Sequence, residues 1–252
     1  MDLVNERLIE GDGTSARLWQ DWQTRHAPSP VTADSLVPAG ARAVVVAPHP
    51  DDEILGTGGL LAQLSSAGRE ILLVAATDGE ASHPGSSRWP ADTLARTRPQ
   101  ETAAALDVLG IAAQTLRLGL PDGGLVQHEA TLRARLMRCL RAGDVVFAPW
   151  QLDGHPDHEA VARAAIVAAR VNGARLIEVP IWGWHWCEPG DPRMPWDRAR
   201  SVALTPALQQ AKQRAVAQFH SQVQADPSTG QGPILHAAAL QRMVGAVEVV
   251  LV

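Results

Sequence analysis

The sequence predicts an α/β fold: a mainly parallel, doubly wound sheet with helices on both faces. Three observations predict it. Short runs of apolar, β-branched residues recur along the chain, the pattern of strands buried on both faces of a parallel sheet. Segments of helical periodicity separate them, two of them ending in glycine. The regular alternation of the two implies right-handed βαβ crossovers.

Residues 1–40 come first and are mixed in character: a short amphipathic piece around Arg17–Trp22, then a connection containing Pro and Ala. They are expected to form an extension packed on a main domain of residues 41–252. Ala43–Ala47 (AVVVA) opens the regular pattern as a buried strand, and Glu53–Gly68 follows as a helix closed by glycine. Glu70–Ala76 is the second strand, Pro99–Gly110 the next helix and Gln114–Leu118 the third strand. Ala130–Arg141 is a helix and Asp144–Ala148 (DVVFA) a fourth strand. The Ala- and Val-rich helix His158–Asn172 leads to another strand, Arg175–Val179. Ala207–Phe219 is helical, and Val247–Val252 is a closing strand. No repeat, low-complexity segment or linker divides the chain, so a single main domain is the economical reading.

The apolar fraction of 46% and charged fraction of 19% are those of an ordinary soluble domain. Net charge is −5 with no block of like charges, which argues against a nucleic acid or other polyanion as partner. There is no signal-type leader and no apolar run of ~18 or more residues. The expectation is a soluble cytoplasmic protein without a membrane segment; self-association into a homo-oligomer is left open. Cys139 and Cys187 cannot build a disulfide framework and read as packing residues. The chain has eight Trp, two Phe and no Tyr, with Trp182, Trp184, Trp186 and Trp196 close together. Alternation at 182, 184 and 186 places three indoles on one strand face. Indole faces stack on sugar rings as well as filling cores, and Trp184 is taken as the substrate contact.

In open α/β sheets ligands bind at the carboxyl ends of the strands. His49-Pro50-Asp51-Asp52-Glu53 lies at the end of the first buried strand, and His155-Pro156-Asp157-His158 just past the DVVFA strand. Acidic residues also favour the first turn of a helix, which accounts for Glu53. Pro156 followed by acids is likewise good helix-start chemistry. Neither explanation covers the histidines, or two adjacent Asp beside a His, where crowded carboxylates repel and a cation removes the cost. Two imidazoles and a carboxylate leave positions open for water and substrate, as catalytic metal sites require. The remaining acids and the further His can serve as general base and oxyanion partner. The residues therefore point to a metal-dependent hydrolase. Gly56, Gly58 and Gly59 do not form Gly-x-Gly-x-x-Gly and read as permitting close helix–sheet packing, not as a dinucleotide site.

The strings APHPDDEILGTGG and DGHPDHEAVARAA resemble the PIG-L/LmbE-type N-acetylglucosaminyl deacetylase family. Thr77-Asp78-Gly79-Glu80, Arg98-x-x-Glu101, Leu120-Pro121-Asp122-Gly123, Lys212 and His220-Ser221-Gln222 resemble further landmarks, so the resemblance covers residues 42–224. It implies a Rossmann-like sheet and a hydrolase that cleaves the linear amide C–N bond of an N-acetylglucosamine-type sugar or glycoconjugate. It implies one divalent metal ion, Zn2+ with Fe2+ as the alternative, held by His49, Asp52 and His158. By the same resemblance Asp51 is the general base, His155 the imidazolium that stabilises the oxyanion, and Asp157 the group that orients His155. Arg98 and Asp122 match positions that contact substrate or the catalytic His. Some relatives carry a tyrosine in the loop before the second motif; here Asp153 and Gly154 occupy that stretch. Two other readings stay open: a metal-dependent amidase acting on a non-sugar N-acyl amine or an antibiotic-like glycoconjugate, and a catalytically silent metal- or sugar-binding module.

Overall fold

The AVVVA run has two parallel neighbours, ILLVA on one side and VVFAP on the other, as a strand buried on both faces should. The computed structural model that shows this describes residues 7–252. The chain runs α1 (Ala16–Arg25), β1 (Ser29–Pro30), α2 (Ala33–Leu36), β2 (Ala43–Ala47), α3 (Asp52–Ser66) and β3 (Ile71–Ala75). It continues through α4 (Ala91–Leu109), β4 (Gln114–Arg117), α5 (Glu129–Cys139), β5 (Val145–Pro149), α6 (Pro156–Asn172) and β6 (Arg175–Val179). Then follow α7 (Gly183–Trp186), β7 (Ala199–Ala203), α8 (Pro206–Val216), α9 (His220–Val223), α10 (Ala237–Met243) and β8 (Val247–Leu251).

All eight strands lie in one sheet, in the order β1-β7-β8-β6-β5-β2-β3-β4. The run β6-β5-β2-β3-β4 is parallel throughout, and β8 is antiparallel to both its neighbours. The mainly parallel α/β sheet expected from the sequence is therefore present, with one reversed strand.

Successive residues of a strand face opposite sides, so each strand feeds two cores. Val45, Leu73 and Phe147 pack beneath α3, α4 and α8, whereas Val44, Val74 and Val146 pack with α5 and α6. The glycines after the first motif do permit close approach. A Cβ at Gly56 would lie 2.7 Å from Val179 Cγ1, and one at Gly59 would collide with the Leu204 side chain.

Three elements differ from the sequence expectation. The helix expected to begin at Pro99 begins at Ala91 and carries Pro99 inside it. Proline has no N–H to offer the Ala95 carbonyl; Arg117 Nη2 donates to that oxygen instead, at 3.3 Å. Residues 182–186 are not a strand but the short helix α7 with Trp182 at its N-cap, so their indoles diverge. Part of the expected extension joins the sheet, since β1 pairs with β7. Its helix α1 brings Trp19 against Trp184, with ring centroids 5.0 Å apart. No helix among the described residues is long and apolar enough to cross a membrane.

Candidate metal centre and active site

The strand order reverses between β2 and β5: the chain winds outward through β3 and β4 on one side of β2, then returns through β5 and β6 on the other. A doubly wound sheet opens a crevice at such a point, at the carboxyl ends of the strands. Residues 48–52 leave β2 there, and residues 150–158 leave β5 there. Two motifs a hundred residues apart are thus neighbours because their strands are.

The geometry centres on Asp52. Its Oδ2 lies 3.3 Å from His49 Nδ1 and 3.3 Å from His158 Nε2, and it accepts the His49 backbone N–H at 3.0 Å. The nitrogens and carboxylate oxygen of these three residues lie within 4.8 Å of one another. The outer nitrogen of each ring faces another carboxylate: His158 Nδ1 is 2.8 Å from Asp153 Oδ2, and His49 Nε2 is 3.1 Å from Asp122 Oδ1. Carboxylate–imidazole pairs of this kind fix ring orientation and raise the basicity of the inward nitrogen. His158 is fully buried, yet its Nε2 forms no hydrogen bond despite its distance to Asp52. A buried polar atom without a partner is costly, and a divalent cation between His49, Asp52 and His158 satisfies it. The donor set of two imidazole nitrogens and one carboxylate suits zinc.

A second set, His49, Asp122 and Asp157, also lies close together. Its carboxylates are already engaged: Asp157 accepts from the Gly123 and Leu125 N–H groups at 2.8 and 3.0 Å, and Asp122 from that of Ala81 at 2.9 Å. Their role is to hold His49 and the 121–125 loop.

Protons and a cation compete for the first cluster. Burial disfavours a charged His158, but the Asp52 charge and the hydrogen bond to Asp153 carry its pKa up to about 9. Burial opposes protonation of His49 as well, and hydrogen bonds to Asp122, Asp157 and Asp52 push it well above the ordinary imidazole value. His158 is then protonated at neutral pH when no cation is bound, and metal uptake there must expel that proton. Affinity for zinc is expected to rise with pH up to about 9, with proton release seen by calorimetry in buffers of different ionisation enthalpy. Affinity unchanged over that interval would contradict this pairing.

Asp51 stands at the N-terminus of α3 with φ +130°, ψ −31°, and is the one non-glycine residue with positive φ among those described. Such backbone strain persists only where the surroundings over-determine it. Here Arg98 supplies the clamp. Its Nη2 donates to the Pro50 carbonyl at 2.7 Å and to Asp51 Oδ2 at 3.1 Å, and its Nη1 donates to the Gly79 carbonyl at 2.9 Å. Glu53 accepts the Asp51 N–H and the Thr102 hydroxyl hydrogen. Glu53 is buried and is a partner of Asp51, a role beyond the helix-start chemistry by which the sequence accounted for it. Burial raises the Asp51 pKa; the Arg98 charge lowers it, the Asp52 and Glu53 charges add to the rise, and the outcome is about 8.

Gly79, at φ +69°, leaves room for the Arg98 guanidinium where a Cβ would collide with it. Gly79→Ala is expected to cost about 1–3 kcal/mol of stability through backbone strain, and to lower turnover by displacing the arginine from Asp51. Urea denaturation and steady-state rates check the two parts; wild-type turnover would show that Arg98 does not control Asp51.

The third imidazole, His155, completes a triangle, its ring centroid 5.0 Å from both His49 and His158. Burial and the neighbouring imidazolium charges lower its pKa to about 4. Its Nδ1 accepts the Asp157 backbone N–H at 3.2 Å, leaving Nε2 as the donor. The link between Asp157 and His155 is therefore through the backbone; the Asp157 carboxylate faces His49 Nε2 at 3.4 Å and not His155.

The cluster opens into a cavity of about 270 Å³. Arg98, Asp122, His155 and Gln222 form its polar side, and Leu55, Trp182 and Leu235 its apolar side. Trp184 is not among its lining residues. That indole packs with Trp19 and Trp196, and it borders a separate hollow of about 450 Å³ beside α1 and β8 that contains none of the candidate metal ligands. The size of that hollow does not make it the chemical site. Trp182, in the same Trp-rich segment, takes the place by the cavity. The sequence reading also missed Asp153, which besides His158 accepts the N–H groups of Ile181, Trp182 and Gly183.

A family model described as PIG-L: GlcNAc-PI de-N-acetylase matches residues 44–169. A 1D-myo-inositol 2-acetamido-2-deoxy-alpha-D-glucopyranoside deacetylase of Rhodococcus erythropolis is 30% identical over 180 residues, covering 61% of this chain and 60% of that protein. The chain thus matches under two thirds of that relative's length. Among solved structures, the conserved protein TT1542 from Thermus thermophilus is 30% identical with a TM-score of 0.53, covering 73% of this chain and 80% of its own. The antimicrobial reagent A40926 pseudoaglycone deacetylase aligns over 84% of this chain and 96% of its own with a TM-score of 0.59; at 22% identity it shows the shared fold.

Proposed function

The chain belongs to the PIG-L (GlcNAc-PI de-N-acetylase) family, and from that premise we propose that it is a metal-dependent hydrolase that removes the acetyl group from an N-acetylglucosamine-type sugar or glycoconjugate. The observation that carries the reading is the orphaned, buried His158 Nε2 facing Asp52 and His49, with the strained Asp51 alongside. His49, Asp52 and His158 would hold the metal, and zinc is the ion their chemistry favours. When bound, a divalent cation supplies Lewis acidity, polarising a carbonyl and bringing the pKa of water towards neutrality.

The protein's own groups supply the proton chemistry. A carboxyl whose pKa is raised to about 8 suits a group that takes a proton from the attacking water and returns one to the departing amine. Asp51 has that property, and Arg98 keeps its carboxylate turned to the cavity. His155 Nε2 donates a hydrogen bond where the carbonyl oxygen gains charge. Its low pKa makes a neutral imidazole the resting donor, in place of the imidazolium implied by the family resemblance. One water and one amide give acetate and a free amine. Asp122 and Gln222 border the space for the sugar hydroxyls, and Trp182 offers an apolar wall. A reducing, cytoplasmic setting agrees with two cysteines that are both free.

Metal analysis coupled to an acetate-release screen tests this reading. N-acetylglucosamine conjugates are expected to release acetate only in the metal-loaded protein. Release confined to non-sugar N-acetyl amines would replace the substrate class, and no release from any amide with metal bound would leave a binding module.

A further inference from the structure

A buried ion pair lies behind the first turn of α3, and the catalytic scheme above leaves it unused. Lys212 on α8 is fully buried, and its Nζ lies 2.6 Å from Glu248 Oε1 on β8. Neither group is spent only on the other. Glu248 accepts two N–H groups from the middle of α3, those of Gly59 and Leu60, each at 2.7 Å. Lys212 Nζ donates to the Leu55 carbonyl, one turn earlier, at 2.7 Å. Mid-helix N–H and C=O groups ordinarily serve the helix itself; a side-chain ion pair inserted at these positions fixes the path of a helix locally. Gly59 makes the approach possible, since a Cβ there would stand 3.2 Å from Glu248 Oε1 as well as colliding with Leu204.

The residue grasped by Lys212 is the one that closes the turn on the catalytic aspartate. The Asp51 carbonyl accepts the N–H groups of Ile54 and Leu55 at 2.9 and 2.8 Å. One peptide segment therefore joins the two: Leu55 holds Asp51 through its N–H and is held by Lys212 through its carbonyl. Asp51 carries the positive φ, and Asp52 follows it directly. Arg98 fixes the side-chain end of this strained turn; the ion pair fixes its backbone end from the opposite side of the helix.

We propose that Lys212 and Glu248 are positioning residues that hold the Asp51–Asp52 turn in the geometry required for metal binding and proton transfer. This rests on the reading of His49, Asp52 and His158 as metal ligands. Partners that orient metal ligands typically alter metal affinity or activity by about 10- to 100-fold when removed. Removing one partner of a buried pair leaves an uncompensated charge, while neutralising both is often tolerated. The informative variant is therefore the double one, Lys212→Met with Glu248→Gln.

Zinc affinity is measured by competition with a chromogenic chelator, alongside thermal unfolding and hydrogen exchange of the metal-free protein. The double variant is expected to unfold near the wild-type temperature, to exchange faster in residues 52–60 than elsewhere, and to bind zinc about 10- to 100-fold more weakly. Lys212→Arg keeps both charges while displacing the contact with the Leu55 carbonyl and serves if the double variant does not fold; it must show the same local exchange and weaker zinc binding. Wild-type affinity in the variant that folds overturns the proposal. So does weakened affinity accompanied by uniformly faster exchange, because the pair then serves only global stability. Failure of the wild-type protein to bind zinc would count against the metal centre itself, a different result from either.

Discussion

Replacing Asp51 with Asn is expected to leave the metal in place and to lower turnover about 10²- to 10⁴-fold, the range that general acid–base catalysis supplies. The two effects separate because Asp51 is not one of the clustered ligand atoms; its Oδ2 is turned to Arg98, 3.1 Å away. Asparagine preserves shape and can still accept from the guanidinium, but it cannot take a proton from water. Burial, with help from Asp52 and Glu53, makes the Asp51 carboxyl a stronger proton acceptor than an exposed one. A bound cation pulls that pKa down, so the wild-type rate should climb with pH through a value below about 8, and the variant should lack this limb. Metal content by elemental analysis and a pH–rate profile measure both halves. Near-normal turnover would assign the base elsewhere, with Glu53, the buried carboxylate that accepts the Asp51 N–H, the next to test.

His49→Ala is expected to abolish metal binding, and with it all acetate release. Its Nδ1 is one of the three proposed donors, and the space left is too polar and too tightly ringed by Asp52, Asp122 and Asp157 to repack as an apolar core. The protein should still fold: the Asp157 carboxylate keeps its bonds to Gly123 and Leu125, and Asp52 keeps its proximity to His158. Circular dichroism with elemental analysis after dialysis tests this. A folded variant with a full equivalent of metal would remove His49 from the ligand set and direct attention to Asp122 and Asp157.

Which parts of the protein could be read from sequence follows from how local their causes are. AVVVA declares itself because a central parallel strand is enclosed on both faces and its residues carry that burial individually; the observed bounds of β2 coincide with the expected ones, and so do those of β6, whose last three residues are buried. β7 hides, because ARSVA places Arg200 and Ser201 within a strand and its partner β8 lies far along the chain. At the site, HPDDE and HPDH are contiguous runs, and the sheet brings them together without further information. Asp153 is different. Its meaning lies in four groups that converge on it, three of them from the 181–183 turn. The one local trace is its place five residues before His158, in the loop that leads into the second motif. A strand periodicity puts Trp182, Trp184 and Trp186 on one face and does not choose among them; the helical turn separates them, and Trp182 is the one that meets the cavity.

The single reversed strand has a further consequence, for the order in which the molecule can assemble. β2 to β6 are consecutive in the chain and pair only with one another and with β8. They can form as soon as they leave the ribosome, with every candidate metal ligand already on the loops and helices between them. β1 is made earlier still but must wait, because its place beside β7 is tied to the rest of the sheet only through β8. Glu248 arrives on that same strand. Synthesis therefore completes the candidate ligand set well before it delivers Glu248, the proposed anchor of the helix that carries Asp52, and insertion of β8 closes the sheet over that turn.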